Sequence, residues 1–132
     1  MLRRAVIMHL QTALPGLGGR VYEAFLAGPE VARPYATVKL ATQVGSPSIG
    51  YAGTQPVEVR IYHDPGSFKD LDLLEVEVLE SLNGVTVTDD ADGSSYELFW
   101  TAGGGDFIDP ERRLIGRLLT FTAACLAEPG GV

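Results

Sequence analysis

The sequence predicts an α+β fold, a mixed and mainly antiparallel sheet with two helices packed on one face. Two stretches repeat apolar residues at helical spacing, several shorter ones alternate apolar and polar residues with period two, and their order lacks the regular βαβα alternation of a parallel α/β protein. With 132 residues, 45% of them hydrophobic and 20% charged, the chain suits one core, and a single domain over residues 1–132 is expected.

A helix is expected from about Leu2 to Leu14, because Leu2, Val6, Leu10 and Leu14 fall on one stripe. Pro15-Gly16 stops it, and Gly18-Gly19 precede a short extended piece, Arg20-Val21-Tyr22-Glu23. Pro29 and Pro34 bracket a loop. Tyr35 to Thr42 then reads as a strand, with Tyr35, Thr37 and Lys39 on one side and Ala36, Val38 and Leu40 on the other. Val44 to Thr54, rich in glycine and serine, is expected to be a mobile excursion between two antiparallel neighbours.

The stretch from Gln55 to Asn83 is the most informative. Val57 to Tyr62 alternates with period two, which turns Glu58, Arg60 and Tyr62 away from the core. His63-Asp64-Pro65-Gly66 is turn chemistry, and Ser67 with Asp70 forms a weaker relative of the Ser-x-x-Glu capping box. Leu71, Leu74, Val78 and Leu82 recur at helical spacing, Glu75, Glu77 and Glu80 fall mainly on other faces, and Asn83-Gly84 ends the helix.

Val85 to Thr88 and Tyr96 to Trp100 flank an Asp-Gly turn and read as a hairpin. Gly103-Gly104-Gly105 reads as a break, with Gly103 to Asp106 expected to be mobile in the isolated protein. In the last segment Asp109-Pro110-Glu111 resembles a helix start, but alternation of Leu119, Phe121, Ala123 and Cys125 with Thr120, Thr122 and Ala124 favours a long strand.

A formal net charge of -7 disfavours general nucleic-acid binding, since affinity for duplex phosphate comes chiefly from clustered Lys and Arg. Arg3-Arg4 and Arg112-Arg113-Arg117 are short clusters, for which solvated charge is the simpler account. Cys125, the single cysteine, cannot form an internal disulfide; its apolar neighbours suit a buried thiol, and a reducing compartment follows. Arg3-Arg4 before Ala5 to Met8 faintly resembles a signal peptide, but His9, Gln11 and Thr12 interrupt it. No apolar run reaches membrane-spanning length, so no membrane partner is expected.

No motif spells out catalysis. Gly16-x-Gly18-Gly19 follows a helix and lacks the Gly-Lys-Ser/Thr ending of a phosphate loop. Asp90, Asp92 and Gly93 partly mimic a calcium loop, yet that register puts Phe99 where the bidentate glutamate belongs, so a hairpin turn is the better reading. His9 and His63 have no second ligand at metal spacing, and His63-Asp64 has no recognisable nucleophile context. Neither a catalytic residue, a cofactor nor a metal is therefore expected. Trp100, with Tyr96 and Phe99, is either core packing or an anchor between subunits.

The leading amphipathic helix, Gly18-Gly19-Arg20-Val21-Tyr22, Pro34-Tyr35 opening a strand and the strand-helix unit from Val57 to Gly84 together resemble the tail terminator (tail-completion) family of long-tailed bacteriophages and prophages. The resemblance covers nearly the whole chain, although the triple glycine and the lack of a Trp-His-Gly lead-in to the last strand depart from the pattern. It implies a non-enzymatic virion protein assembled in the host cytoplasm. Such proteins form a ring, here a homo-hexamer, that ends the tail tube, meets the head-completion connector and lets DNA pass through its lumen without sequence-specific binding. Glu58, Arg60, Tyr62 and Trp100 are then the interface candidates. Alternatives are another head-tail connector or tube component, and a small ligand-binding domain or enzyme.

Overall fold

The computed structural model describes residues 1–24, 32–41, 55–66 and 68–127, with side chains described as far as residue 124. The expected excursion from Val44 to Thr54, the Ser67 cap, Pro29 and the Cys125 side chain lie outside the described residues.

In chain order the elements are α1 (Leu2–Ala13), β1 (Val21–Glu23), β2 (Tyr35–Leu40), β3 (Gln55–His63), α2 (Phe68–Leu82), β4 (Val85–Thr88), β5 (Ser95–Asp109) and β6 (Leu114–Ala127), with a 3-10 turn at Pro15–Leu17 after α1. The sheet order is β1-β2-β3-β6-β5-β4. Every pair is antiparallel except the parallel β1-β2 pair, so the fold is α+β with a mainly antiparallel sheet, as expected. The final segment is a strand, and Asp109-Pro110 belongs to the turn into it.

Register sorts the side chains into two faces. Ala36 faces Ile61, Val38 faces Val59, and Val59 in turn faces Leu119, all with the helices; Thr37 faces Arg60 and Tyr35 faces Tyr62 on the outer side. Leu2, Ala5, Val6, Leu10 and Leu14 of α1 and its exit meet Leu71, Leu74, Val78 and Leu82 of α2 over this inner face, in one core. Burying each of these Leu and Val side chains contributes about 1.5–3 kcal/mol, and helix docking draws on that more than on local propensity. α1 touches both edge strands, β1 and β4, so the sheet curls around it.

The triple glycine does not break the chain. β5 runs through Gly103, Gly104 and Gly105, with register shifts between Trp100 and Ala102 and between Gly103 and Asp106. The second shift sets an extra β5 residue against β6, a β-bulge. Leu118 presses on the bulge so closely that a Cβ at Gly104 would lie 2.7 Å from the Leu118 Cβ. Gly104 serves close strand approach, and the expectation of a break in the chain there is corrected.

Candidate functional site

The outer face carries three of the four sequence candidates. Glu58 and Arg60 form an ion pair at 2.9 Å along β3, both partly buried. Tyr62 stacks on Tyr35 with ring centroids 4.6 Å apart, and Tyr35 in turn meets Tyr22 at 6.2 Å. On the other side, Tyr62 meets the edge of Phe107 at 5.6 Å. Phe107 reaches this far because it crosses β6 over Gly116, where a Cβ would fall 2.3 Å from the ring. The result is a row of four aromatic rings across the outer face. Period-two alternation found Tyr35 and Tyr62, but the glycine tract hid Phe107.

Tyr35 is only 2% exposed although it points away from the helices. Burial, with Tyr62 beside it, pushes its phenol pKa up. Ala24, Tyr35, Thr37, Arg60, Tyr62, Asp109 and Arg112 line a cavity of about 410 Å³ here. Arg33 staples one side of it: its guanidinium donates to Asp64 Oδ1 (3.1 Å) and to the carbonyls of Arg113 (2.7 Å) and Arg112, tying the entry to β2 to the β5-β6 turn.

Trp100 is elsewhere. It pairs in register with Phe121, an inner-face residue, and stands 43% exposed near the end of α2, apart from Glu58, Arg60 and Tyr62. Its backbone N–H donates to Asn83 Oδ1 at 2.9 Å, just where β4 stops pairing with β5. Beyond that point β5 has no further strand neighbour on its outer edge among the described residues.

Two ionic clusters hold the helices to the sheet. Arg117, 9% exposed, donates to Asp106 Oδ1 of β5 and to Asp72 Oδ1 and Glu75 Oε2 of α2, each at 2.6 Å. Burial acts to lower the guanidinium pKa, but the hydrogen bonds to Asp72, Asp106 and Glu75 outweigh it and leave the pKa raised. This corrects the reading of Arg112-Arg113-Arg117 as solvated charge: the alternation of β6 points Arg117 inward beneath α2. At the other end, the Arg4 guanidinium and the Met1 α-amino group converge on Asp89, whose side chain is fully enclosed. Arg4 above all holds the Asp89 carboxyl below the usual range. Asp92, bonded to the Met1 amine and to Ser94, is lowered to about 2. These acids belong to the observed β4-β5 hairpin turn, as the sequence suggested.

Among the described residues no group of three or more His, Cys, Asp or Glu side chains is arranged to hold a metal ion. His9 Nε2 lies 2.7 Å from the Ser81 carbonyl, joining α1 to α2. No helix among the described residues is long and apolar enough to cross a membrane.

No family model matches the chain, and no curated protein does. Among solved structures, the chain shares its fold with a protein of the virion of a native gene transfer agent particle. The two have a TM-score of 0.70 and 20% sequence identity, over 94% of this chain and 93% of the other.

Proposed function

We propose that this protein is a structural component of a phage-like virion, and specifically a single-domain tail terminator. A hexameric ring of it ends the tail tube, contacts the tube protein on one side and the head-completion connector on the other, and passes DNA through its lumen. The protein acts without catalysis, resides in the virion tail and is assembled in the host cytoplasm. The observation that carries this reading is the fold likeness to a gene transfer agent virion protein over nearly the full length of both chains. The order of helix, strands and strand-helix unit supports the finer assignment.

Termination by this route is geometry and not chemistry. Each subunit matches the last tube ring on one side and offers a different surface on the far side, so a further tube ring finds no complementary partner. Glu58, Arg60, Tyr62 and Trp100 are the proposed contact residues. The second reading is a head-tail connector or tube component, because the likeness is to a virion particle and fold alone does not divide its parts. Purified protein added to polymerising tube subunits should shorten the tubes. Deleting the gene should leave overlong or unjoined tails beside filled heads. Normal-length, infectious tails without the protein exclude the terminator role.

A further inference from the structure

Asn83 is the one asparagine in the chain, and a glycine follows it. That pair is chemically labile. The Gly84 amide nitrogen, unhindered by any side chain, can lose its proton and attack Asn83 Cγ. A C–N bond forms, the Cγ–Nδ2 bond breaks, and the carboxamide nitrogen leaves as ammonia. Water then opens the cyclic imide at either carbonyl. Breaking the new Cγ–N bond gives aspartate on the normal backbone. Breaking the original peptide bond instead gives isoaspartate, with the chain rerouted through Cβ and Cγ. The net change consumes water and releases ammonia, with no oxidant or reductant.

Both residues are exposed, so solvent access alone would leave the pair reactive. The fold instead occupies each reacting group. Gly84 N–H donates to the Leu98 carbonyl at 2.7 Å, extending the β4-β5 ladder by one residue ahead of β4. Asn83 Oδ1 accepts from the Trp100 N–H at 2.9 Å, which pins the carboxamide to β5. Asn83 N–H still donates to the Leu79 carbonyl at 2.9 Å, as in a last helical turn, and Gly84, with φ +71°, carries the chain out of α2. Ring closure needs the carboxamide to swing onto the Gly84 nitrogen, which breaks the Trp100 bond, and needs that nitrogen free, which breaks the Leu98 bond. Both bonds run from the end of α2 to β5, so one local opening releases them together.

We propose that Asn83 is a spontaneous deamidation site gated by this junction: it reacts through opening of the contact between the end of α2 and β5, with the Trp100 N–H as the latch. The two products differ in what the junction can re-form. Aspartate keeps an oxygen for the Trp100 N–H, although its charge sits at the C-terminal end of α2, whose last turn carries no basic residue. Isoaspartate adds a carbon to the backbone ahead of Gly84 and replaces the carboxamide by a carboxylate on Cα, so the Leu98 and Trp100 partners no longer lie in register together. The site is independent of the ring reading.

The test holds the full chain at neutral pH, folded or in denaturing urea, follows Asn83 by peptide mapping with mass spectrometry, and counts isoaspartate by isoaspartyl methyltransferase labelling. Folded wild type should react about tenfold or more slowly than the unfolded chain, since reaction waits on local opening. Trp100→Pro removes the N–H that faces Asn83, whereas Trp100→Ala removes the ring and keeps that N–H. With circular dichroism showing both folded, the proline variant should react several times faster than the alanine variant. Hydrogen exchange at Gly84 in wild type decides the matter even where the proline variant does not fold: in urea below the unfolding transition, its rate and the deamidation rate should rise in parallel. Equal rates in folded and unfolded wild type, a folded proline variant no faster than the alanine one, or deamidation that does not follow Gly84 exchange overturns the gate. An Asn83 that stays unmodified in the unfolded chain overturns the site itself.

Discussion

Replacing Arg117 tests whether the guanidinium is what fixes α2 over β5 and β6. Arg117→Met keeps much of the apolar stem and removes the charge, leaving Asp72, Glu75 and Asp106 gathered around no cation. Removing one partner of a fully buried ion pair costs about 3–5 kcal/mol. The acids here are not fully buried: the side chains of Asp72, Asp106 and Glu75 are 63%, 43% and 24% exposed, so water takes over part of their solvation. Discounting chiefly for Asp72, a loss of about 2–3 kcal/mol is expected. With a urea slope of roughly 2 kcal/mol per molar, the unfolding midpoint should fall by about 1–1.5 M at unchanged slope. Arg117→Lys should lie between, since an ammonium is a point donor and cannot reproduce the fork that now serves three carboxylates. Salt gives an internal check. In Arg117→Met the remaining interactions are repulsive, and about 1 M salt, with a screening length near 3 Å, should restore part of the loss. A loss under about 1 kcal/mol, or a lysine variant as stable as wild type, would refute the argument that this fork anchors the helix.

Gly116→Ala should cost about 1–3 kcal/mol, because the new methyl meets the Phe107 ring at 2.3 Å and the Ile61 carbonyl at 3.0 Å; near-ultraviolet circular dichroism should report a displaced aromatic row, and Phe107→Ala in the same chain should recover part of the loss. Acid should loosen the start of α1: Asp89 and Asp92 have folded pKa values below their unfolded ones, so their contribution is complete above about pH 4 and is lost as pH falls through the folded values, about 2 for Asp92. Hydrogen exchange in α1 should follow that window, and Asp89→Asn should flatten it. Arg60→Glu, which places two like charges where the Glu58 pair stood, should weaken the proposed ring on light scattering while changing monomer stability by under about 1 kcal/mol.

Periodicity exposed the elements that bury one stripe or one face. The stripes of α1 and α2 and the alternation of β2 and β3 each name one set of apolar residues, and the register bears them out. The glycines at 103–105 read as a break because a single sequence does not distinguish freedom of the backbone from room for a neighbour; at Gly104 the Leu118 contact makes it the second. Arg117 was misread for a related reason. Next to Arg112 and Arg113 it looks like part of a basic surface run, while its three partners lie 11 to 45 residues away in sequence, on α2 and β5. The aromatic row was half legible, since Tyr35 and Tyr62 sit in regular strands but Phe107 follows the glycines.

The distribution of leftover apolar surface bears on function more than any single residue does. β2 has four consecutive buried positions, Tyr35 to Val38, so burial continues on the outer face, under the aromatic row, as well as beneath the helices. A two-layer domain with one face bathed in water would instead alternate buried and exposed along that strand. Having covered both faces there, the fold leaves Trp100 and Ile108 uncovered on β5, beyond its pairing with β4. Exposed apolar side chains are ordinary when scattered singly; placed along an unpaired strand edge they invite aggregation unless a specific neighbour covers them. The proposed ring would meet that need, because in a closed head-to-tail assembly every such edge is occupied and none is left to recruit further chains.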